Sequence, residues 1–415
     1  MPRSLQFWFD YSCPYAYLGS TQVEALAQRM GAELTYEPML LGGVFKANGT
    51  PQNSMDELSP AKAQHNALDM LRWAKLYDVP LEVPVLHPMR TVEALRATLV
   101  TGIDPAVVHG FFRAYWVHGR QVSNPETLRD VLRAAGHDPA AVLARMLEPK
   151  VKDDLRARTE RAVGRGIFGA PSYVVTDDPL AASGSSSSSQ RRERMYWGQD
   201  RMDLVEGKGF APRTYERTAQ MAHTLDLYWD FSSPFAYLGS TQADALAART
   251  GATLTWHPML LGGLFKSIGQ ADAPIDTFSE SKRRHALQDM QRWADYWGVP
   301  FNFPTRFPMV TVKALRVYLV LPEARRREFR EKTFRAYWAE DRDISSDEVL
   351  RDLIGEGAGE VLARISAPEI KQELLSATQR AVDRGVFGAP TWVVDGKDLY
   401  WGQDRLPLVE RALTA

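Results

Sequence analysis

The chain of 415 residues contains two copies of one sequence pattern. The 19 residues from Phe9 to Ala27 share 13 identities with those from Trp229 to Ala247. Further pairs follow in the same order: LLGGVFK and LLGGLFK, RGIFGAP and RGVFGAP, and YWGQDR twice. Up to FGAP the offset stays near 220 residues, well beyond the repeat length of about 20–50 residues that is typical of solenoids. The pattern therefore predicts two whole domains in tandem.

Composition indicates where the copies meet. We predict copy 1 at residues 1–206, a linker at 207–223 and copy 2 at 224–415. The linker sequence GKGFAPRTYERTAQMAH mixes Gly, Pro and charge, which is typical of an exposed connection.

One difference in spacing separates the copies. Trp197 follows Pro171 by 26 residues, whereas Trp401 follows Pro390 by only 11. The first copy thus carries 15 extra residues, which include ASGSSSSSQRRER at 182–194. Because this composition cannot bury apolar surface, it predicts a flexible surface loop.

Charge and hydropathy exclude several classes of function. The 50 basic and 51 acidic side chains give a formal net charge of -1, so no overall field favours nucleic acid or an anionic membrane. No apolar run reaches the roughly 18 residues of a membrane span, and the N-terminal residues lack the apolar stretch of a secretory signal. A single cysteine excludes an internal disulfide. We therefore expect a cytoplasmic protein.

Each copy begins with a pattern typical of a parallel strand–helix–strand unit. LQFWFD and LDLYWD are short aromatic and aliphatic runs that predict first strands. SCPYAYLGSTQVEALAQRMG predicts one helix, with Pro14 in its first turn and Gly31 as its C-terminal cap. ELTYEPMLL then predicts a second strand, parallel to the first.

The rest of each copy completes the fold prediction. Residues 59–152 are helical in pattern, and APSYVV and RMYWG then predict two strands before a closing helix. The order is βαβ, an all-helical insertion, then ββα. We therefore predict an α/β, thioredoxin-like fold with an inserted α-helical domain, present twice. The sequence shows no metal-ligand spacing, phosphate-binding loop or hydrolase motif.

Each copy resembles the 2-hydroxychromene-2-carboxylate isomerases and the related kappa-class glutathione transferases, within the DsbA-like branch of the thioredoxin superfamily. The resemblance depends on four motifs in fixed order: D-x-S-[CS]-P-[YF]-A-Y-L, LLGG-x-FK, FGAP and WGQDR. It implies glutathione as cofactor and a small aromatic co-substrate. Together the motifs cover nearly the whole chain.

The resemblance implies that the residue before the first proline faces the sulfur of bound glutathione. That residue is Ser233 in copy 2 and Cys13 in copy 1. A helix N-terminus presents free N–H groups and the positive end of the dipole, so a serine hydroxyl there can stabilise a thiolate. Ser233 matches the isomerase and transferase pattern, and Cys13 departs from it.

Two interpretations of Cys13 stay open. A cysteine at a helix N-terminus tends toward thiolate, so we predict a pKa below the free value of about 8.5. The alternative is a small buried residue that replaces serine without consequence. CPYA has Ala16 where dithiol enzymes carry a second cysteine, which leaves only monothiol chemistry.

The resemblance also implies the remaining site residues. The peptide bonds before the FGAP prolines would be cis, and the backbone of the alanine before each proline would pair with glutathione. The alternative is that each proline lies in an ordinary turn with a trans peptide bond. The WGQDR segments would hold its γ-glutamyl end, although helix N-capping is an alternative role for each aspartate. Lysines after LLGG would border the acidic co-substrate, or be merely solvated. The predicted residues are Ala170, Pro171, Trp197, Gly198, Gln199, Asp200, Ala389, Pro390, Trp401, Gly402, Gln403, Asp404, Lys46 and Lys266. The recurring His65 and His285 are predicted to be structural.

Several functions compete. The leading hypothesis is a glutathione-dependent isomerase of the 2-hydroxychromene-2-carboxylate type, acting on a conjugated aromatic carboxylic acid. The alternatives are a kappa-like transferase or peroxidase, a monothiol disulfide oxidoreductase working through Cys13, and a non-catalytic binding module. Because the related enzymes are homodimers, the resemblance and the linker length predict an intramolecular pseudo-dimer.

Overall fold

The computed structural model describes residues 3–51, 58–177, 192–210, 223–270 and 274–414. Most of the predicted loop at 182–194 and of the predicted linker at 207–223 lies outside these ranges. The limits predicted for the two domains therefore remain a prediction.

The chain forms two compact units. Unit 1 comprises Met1–Glu57, Met70–Lys208 and Phe278–His285, and unit 2 comprises Leu58–Asp69, Gly209–Thr277 and Ala286–Ala415. Each unit thus includes a short segment from the other sequence copy. In unit 2 this segment is 58–69, and in unit 1 it is 278–285.

The first copy has four strands and ten helices among its described residues. The strands are β1 (Arg3–Phe9), β2 (Ala32–Pro38), β3 (Ser172–Asp177) and β4 (Arg192–Trp197). The helices are α1 (Pro14–Ser20), α2 (Val23–Met30), α3 (Leu41–Ala47), α4 (Pro60–Tyr77), α5 (Val92–Val100), α6 (Pro105–Trp116), α7 (Pro125–Ala134), α8 (Pro139–Arg145), α9 (Pro149–Gly164) and α10 (Met202–Glu206).

The second copy repeats this order in the residues that the structure covers. Its strands are β5 (Thr224–Trp229), β6 (Thr253–Pro258), β7 (Thr391–Val394) and β8 (Asp398–Trp401). Its helices are α11 (Pro234–Thr250), α12 (Leu261–Ser267), α13 (Glu280–Trp297), α14 (Val312–Val320), α15 (Glu323–Trp338), α16 (Asp347–Ile354), α17 (Ala358–Arg364), α18 (Pro368–Asp383) and α19 (Leu406–Thr414). Short 3-10 turns lie at Gln199–Arg201, Pro274–Thr277 and Gln403–Arg405.

Each copy builds a four-stranded mixed sheet. The strand order is β2-β1-β3-β4 in one sheet and β6-β5-β7-β8 in the other. The first two strands of each copy pair in parallel, and the last two add antiparallel. The predicted βαβ, helical insertion and ββα order is confirmed, and it is a thioredoxin-like arrangement present twice.

The helix after the first strand differs between the copies. Pro14 begins α1, as predicted, and Gly31 ends α2 with a φ of 59°. The prediction of a single helix in copy 1 is wrong, however, because a turn at Thr21 and Gln22 interrupts the helix. Its counterpart α11 runs unbroken over 17 residues. Both helices have their proline in the first turn, where a backbone N–H would have no hydrogen-bond acceptor within the helix.

A buried carboxylate joins the strand to the helical insertion in each copy. Asp10 and Asp230 are 1% and 0% exposed. Asp230 accepts hydrogen bonds from Leu261 N at 2.7 Å, Ser232 N at 3.0 Å and Thr311 Oγ1 at 2.7 Å. Asp10 makes the corresponding three contacts. These bonds fix the end of the first strand, where the active-site helix begins, against the LLGG helix.

Within the described part of the chain, no helix is long and apolar enough to cross a bilayer.

Candidate functional site

The first element of the site is the residue that precedes the helix proline. Ser233 is the N-cap of α11, and its Oγ accepts from Ala236 N at 3.1 Å. The same hydroxyl donates to the Ala389 carbonyl at 2.8 Å. In unit 1 the Cys13 thiol donates to the Ala170 carbonyl at 3.1 Å. Each side chain therefore contacts the residue before the FGAP proline of its own unit.

The ionisation predicted for Cys13 is wrong. The side chain is only 8% exposed, and burial raises the pKa of its thiol to about 12. The neighbouring N–H groups of Ala16 and Tyr15 lower the pKa by less than burial raises it, and Asp10 adds a smaller increase. Desolvation outweighs the helix N-terminus here, so the thiol is protonated at neutral pH.

The second element is the FGAP loop, whose prolines are cis as predicted. The Ala170–Pro171 and Ala389–Pro390 bonds are both cis. The hydroxyl after each proline donates back to the FGAP glycine: Ser172 to Gly169 at 2.8 Å and Thr391 to Gly388 at 2.7 Å. These local bonds hold the loop beside the strand that follows it.

The FGAP glycines are required by the third element, the WGQDR segment. A Cβ built on Gly169 would collide with the Trp197 indole, and one on Gly388 would collide with the Trp401 indole. The two motifs therefore pack face to face in each unit. The contact leaves no room for a side chain at either FGAP glycine.

Within WGQDR, glycine shapes the backbone and aspartate pairs with arginine. Gly198 and Gly402 have φ values of 102° and 112°, a region that favours glycine. Asp200 and Asp404 each contact the following arginine at 2.9 Å. In each 3-10 turn the N-cap position is a glycine, Gly198 or Gly402, and the aspartate lies inside the turn.

The glutamine of this segment is buried with an unused donor. Gln199 and Gln403 are both 2% exposed. Their side-chain Nε2 atoms have no hydrogen-bond partner among the described residues. A buried amide that lacks a partner is costly unless something else accepts its hydrogens. Both units therefore present a donor suited to an anionic or carbonyl group of a ligand.

The predicted lysines lie further out. Lys46 and Lys266 lie in the last turns of α3 and α12, and both are exposed. In unit 2, a cavity of about 310 Å³ lies beside the end of α12 and the FGAP loop. It is lined by Ser59, Pro60, Ala61, Ile268, Val382, Gly385, Val386 and Phe387. This lining is predominantly apolar.

The sequence analysis did not assign to the site the residues of segments 58–69 and 278–285, which we call the exchanged segments because each belongs to the unit formed mainly by the other sequence copy. In unit 2, Trp401 N donates to His65 Nε2 at 3.0 Å, and Arg405 forms a two-armed pair with Asp69. The Lys62 ammonium lies over the Trp401 ring, 5.1 Å from its centroid. His65 and His285 occur 220 residues apart, at equivalent positions of the two copies. This repetition is the sequence feature that could have indicated a shared role.

No group of three or more His, Cys, Asp or Glu side chains is arranged to hold a metal ion within the ranges that the structure describes.

Comparisons with known proteins agree with this architecture. The DSBA-like thioredoxin domain family matches residues 4–208 and 224–414. A 2-hydroxychromene-2-carboxylate isomerase from Pseudomonas putida is 31% identical over 197 residues, which are 46% of this chain and 93% of that protein. Glutathione S-transferase kappa 1 from Caenorhabditis elegans is 28% identical over 218 residues, covering 49% of this chain and 89% of that protein.

A solved structure of 2-hydroxychromene-2-carboxylate isomerase is 26% identical, with a TM-score of 0.41, and aligns with 46% of this chain and 94% of that one.

The fold and the site define a DsbA-like thioredoxin domain with a helical insertion. The chain belongs to the DSBA-like thioredoxin domain family, and carries this domain twice.

Proposed function

We propose that the protein is a glutathione-dependent isomerase of the 2-hydroxychromene-2-carboxylate type, acting on a conjugated aromatic carboxylic acid. The position and contacts of Ser233 carry the proposal. It lies at the N-terminus of α11 and contacts the residue before a cis proline. The resemblance to named isomerases supports this choice of reaction.

The residues of each unit fit glutathione. The buried Gln199 and Gln403 amides provide donors for a carboxylate. The positive-φ glycines before them leave room for the side chains of Asp200 and Asp404, which would collide with a Cβ there. Asp200 and Asp404 supply a carboxylate for an ammonium group. These residues would hold the γ-glutamyl end, while Ala170–Pro171 and Ala389–Pro390 would pair with the cysteinyl part.

The chemistry that follows is nucleophilic catalysis without a net redox change. When bound, glutathione supplies a thiolate that can add to a conjugated carbon and leave again. Ser233 would turn its hydroxyl from the Ala389 carbonyl toward this sulfur and keep it ionised. The dipole of the 17-residue α11 favours negative charge at the same point.

The co-substrate would occupy the cavity of about 310 Å³ in unit 2. Its lining suits an aromatic ring. Lys266, exposed at the end of α12, would attract a carboxylate to the entrance, and Lys46 would do so in unit 1. The kappa-like transferase remains a second candidate because the same site could retain the conjugate, and named kappa transferases are 26–29% identical to parts of this chain.

A monothiol oxidoreductase is disfavoured, because burial keeps the Cys13 thiol protonated.

We also propose that the two copies form an intramolecular pseudo-dimer, which the exchange of residues 58–69 and 278–285 supports. Small-angle scattering combined with light scattering tests this assembly: a compact monomer of 46.7 kDa would support it, and two well-separated lobes with no shared interface would contradict it. The single cysteine requires no oxidising compartment, and we therefore propose a cytoplasmic location.

The proposal is tested by a calorimetric titration of the full chain with reduced glutathione, followed by an isomerase assay on 2-hydroxychromene-2-carboxylate. We expect binding, and turnover only when glutathione is present. Turnover that does not depend on glutathione, or the absence of binding, would contradict the proposal. Accumulation of a stable conjugate in place of isomer would favour the transferase.

A further inference from the structure

Unit 2 contains a buried ion pair that the mechanism above does not use. Asp69 is 1% exposed. It accepts from Arg405 Nε at 2.7 Å and from Arg405 Nη2 at 3.0 Å, which is a two-armed contact. Such pairs fix geometry as well as charge. Arg405 in turn contacts Asp404 at 2.9 Å, the residue proposed to hold the glutathione ammonium.

A second contact fixes the other end of the same segment. His65 is 4% exposed, and its Nε2 accepts from the Trp401 main-chain N–H at 3.0 Å. Its ring also packs against Phe387 at 5.5 Å and against Trp401 at 6.4 Å. The ring therefore lies against both the FGAP loop and the WGQDR segment.

Lys62 adds a cation to this surface. Its ammonium lies 5.1 Å from the centroid of the Trp401 ring, within the range of a cation–π contact. Partial burial lowers the pKa of Lys62 from its usual value. Lys62, His65 and Asp69 follow one another at spacings of three and four residues, so they occupy one face of α4.

A corresponding arrangement occurs in unit 1. There Lys282 lies 5.8 Å from the Trp197 ring centroid and 4.2 Å from that of Phe278. The His285 ring packs against Phe168 at 5.5 Å. Both side chains come from the segment 278–285 of the second sequence copy. Two occurrences of the same lysine, histidine and aromatic set indicate a built feature.

We propose that Lys62, His65 and Asp69, which belong to the first sequence copy, are positioning residues for the glutathione site of unit 2. Asp69 and His65 hold the Trp401–Arg405 segment in its binding conformation, so the site is incomplete without the exchanged segment. Lys282 and His285 have the corresponding role in unit 1. This inference rests on the proposed glutathione function and assigns part of each site to the opposite copy.

The test is a glutathione titration of full-length variants. Asp200→Ala first silences the unit 1 site, so that one site remains to be measured. In that background we expect Asp69→Asn to weaken glutathione affinity by about 10–100-fold, the range for losing hydrogen bonds to a charged group. Asp153→Asn is the matched control, because Asp153 forms an exposed pair with Arg156 at 3.1 Å in unit 1.

A second pair of variants guards against simple loss of folding. His65→Gln keeps an acceptor for the Trp401 N–H, whereas His65→Leu removes it. We expect His65→Gln to bind nearly as well as its parent and His65→Leu to bind more weakly. In the isomerase assay the same losses should raise the KM for glutathione more than they lower kcat, which a merely destabilised protein would not show.

The outcomes separate the two proposals. If the parent chain does not bind glutathione, the proposed function fails. If the parent binds but Asp69→Asn and His65→Leu bind equally well, the positioning role is overturned. Weaker binding in both variants, with Asp153→Asn unaffected, supports it.

Discussion

The two units share a scaffold but differ at the atom that would face a bound sulfur. Both place a side chain at the start of the active-site helix, and both aim it at the carbonyl before a cis proline. In unit 2 that side chain is the Ser233 hydroxyl, which both donates and accepts. In unit 1 it is the Cys13 thiol, which burial keeps protonated. The supporting geometry is retained while the chemistry differs.

A second difference lies directly behind the site. In unit 2, Trp392 Nε1 donates to the Gly402 carbonyl at 3.1 Å. The equivalent residue in unit 1 is Tyr173, whose buried hydroxyl has no partner in the part of the chain that the structure describes. Unit 2 therefore ties the WGQDR backbone to the central strand with a bond that Tyr173 does not make. In unit 1 the same segment is held instead by the Tyr77 hydroxyl, which donates to the Gln199 carbonyl at 3.1 Å, so the two units fix this backbone by different side chains.

The largest expected effect comes from removing the sulfur-facing donor. Ser233→Ala should lower kcat by a factor on the order of 10²–10³, because it removes a preorganised donor. Its affinity for glutathione should change little, since the other contacts remain. Cys13→Ala should have a smaller effect on kcat. Steady-state kinetics of both variants checks this, and equal losses would break the proposed division between the units.

The next effect tests whether the scaffolds are equivalent. Asp10→Asn and Asp230→Asn should each lower the free energy of unfolding by about 1–3 kcal/mol, because an amide NH₂ would face donors in a buried site. Since both carboxylates accept the same three contacts, the two losses should be similar. Urea denaturation measures them. A large difference would mean that the units also diverge in their supporting structure.

The last effect, which is absent at neutral pH, is a pH dependence that originates in unit 1. The folded thiol of Cys13 has a pKa near 12, while an unfolded thiol ionises near pH 8.5. Ionisation in the unfolded state therefore destabilises the fold as pH rises from about 8.5 toward about 12, by at most about 1.4 kcal/mol per pH unit. Below this window the contribution of the thiol is constant.

Urea denaturation between about pH 8 and pH 10 tests this window. Cys13→Ser should remove the dependence, so the difference between parent and variant isolates the thiol from other titrating groups. Alkylation of Cys13 at neutral pH should also be slow. Rapid alkylation would show that the thiol is ionised, as its position at a helix N-terminus alone would suggest.

Local patterns predicted most of the fold. Strand runs, Pro14 at a helix start and Gly31 at a helix end depend on neighbouring residues, and the structure bears them out. The ionisation of Cys13 could not be predicted in this way, because burial is set by residues distant in sequence. Asp69 was missed for the same reason, since its partner Arg405 lies 336 residues away.

The buried Asp230 carboxylate has a consequence for the order of folding. Its three donors lie 2, 31 and 81 residues away along the chain. A partly folded molecule with a closed sheet but a disordered helical insertion would bury this carboxylate without the Thr311 hydroxyl, which is unfavourable. The sheet and the insertion should therefore form in one cooperative transition, and the insertion should not behave as a separable folding unit even though it interrupts the sheet in sequence.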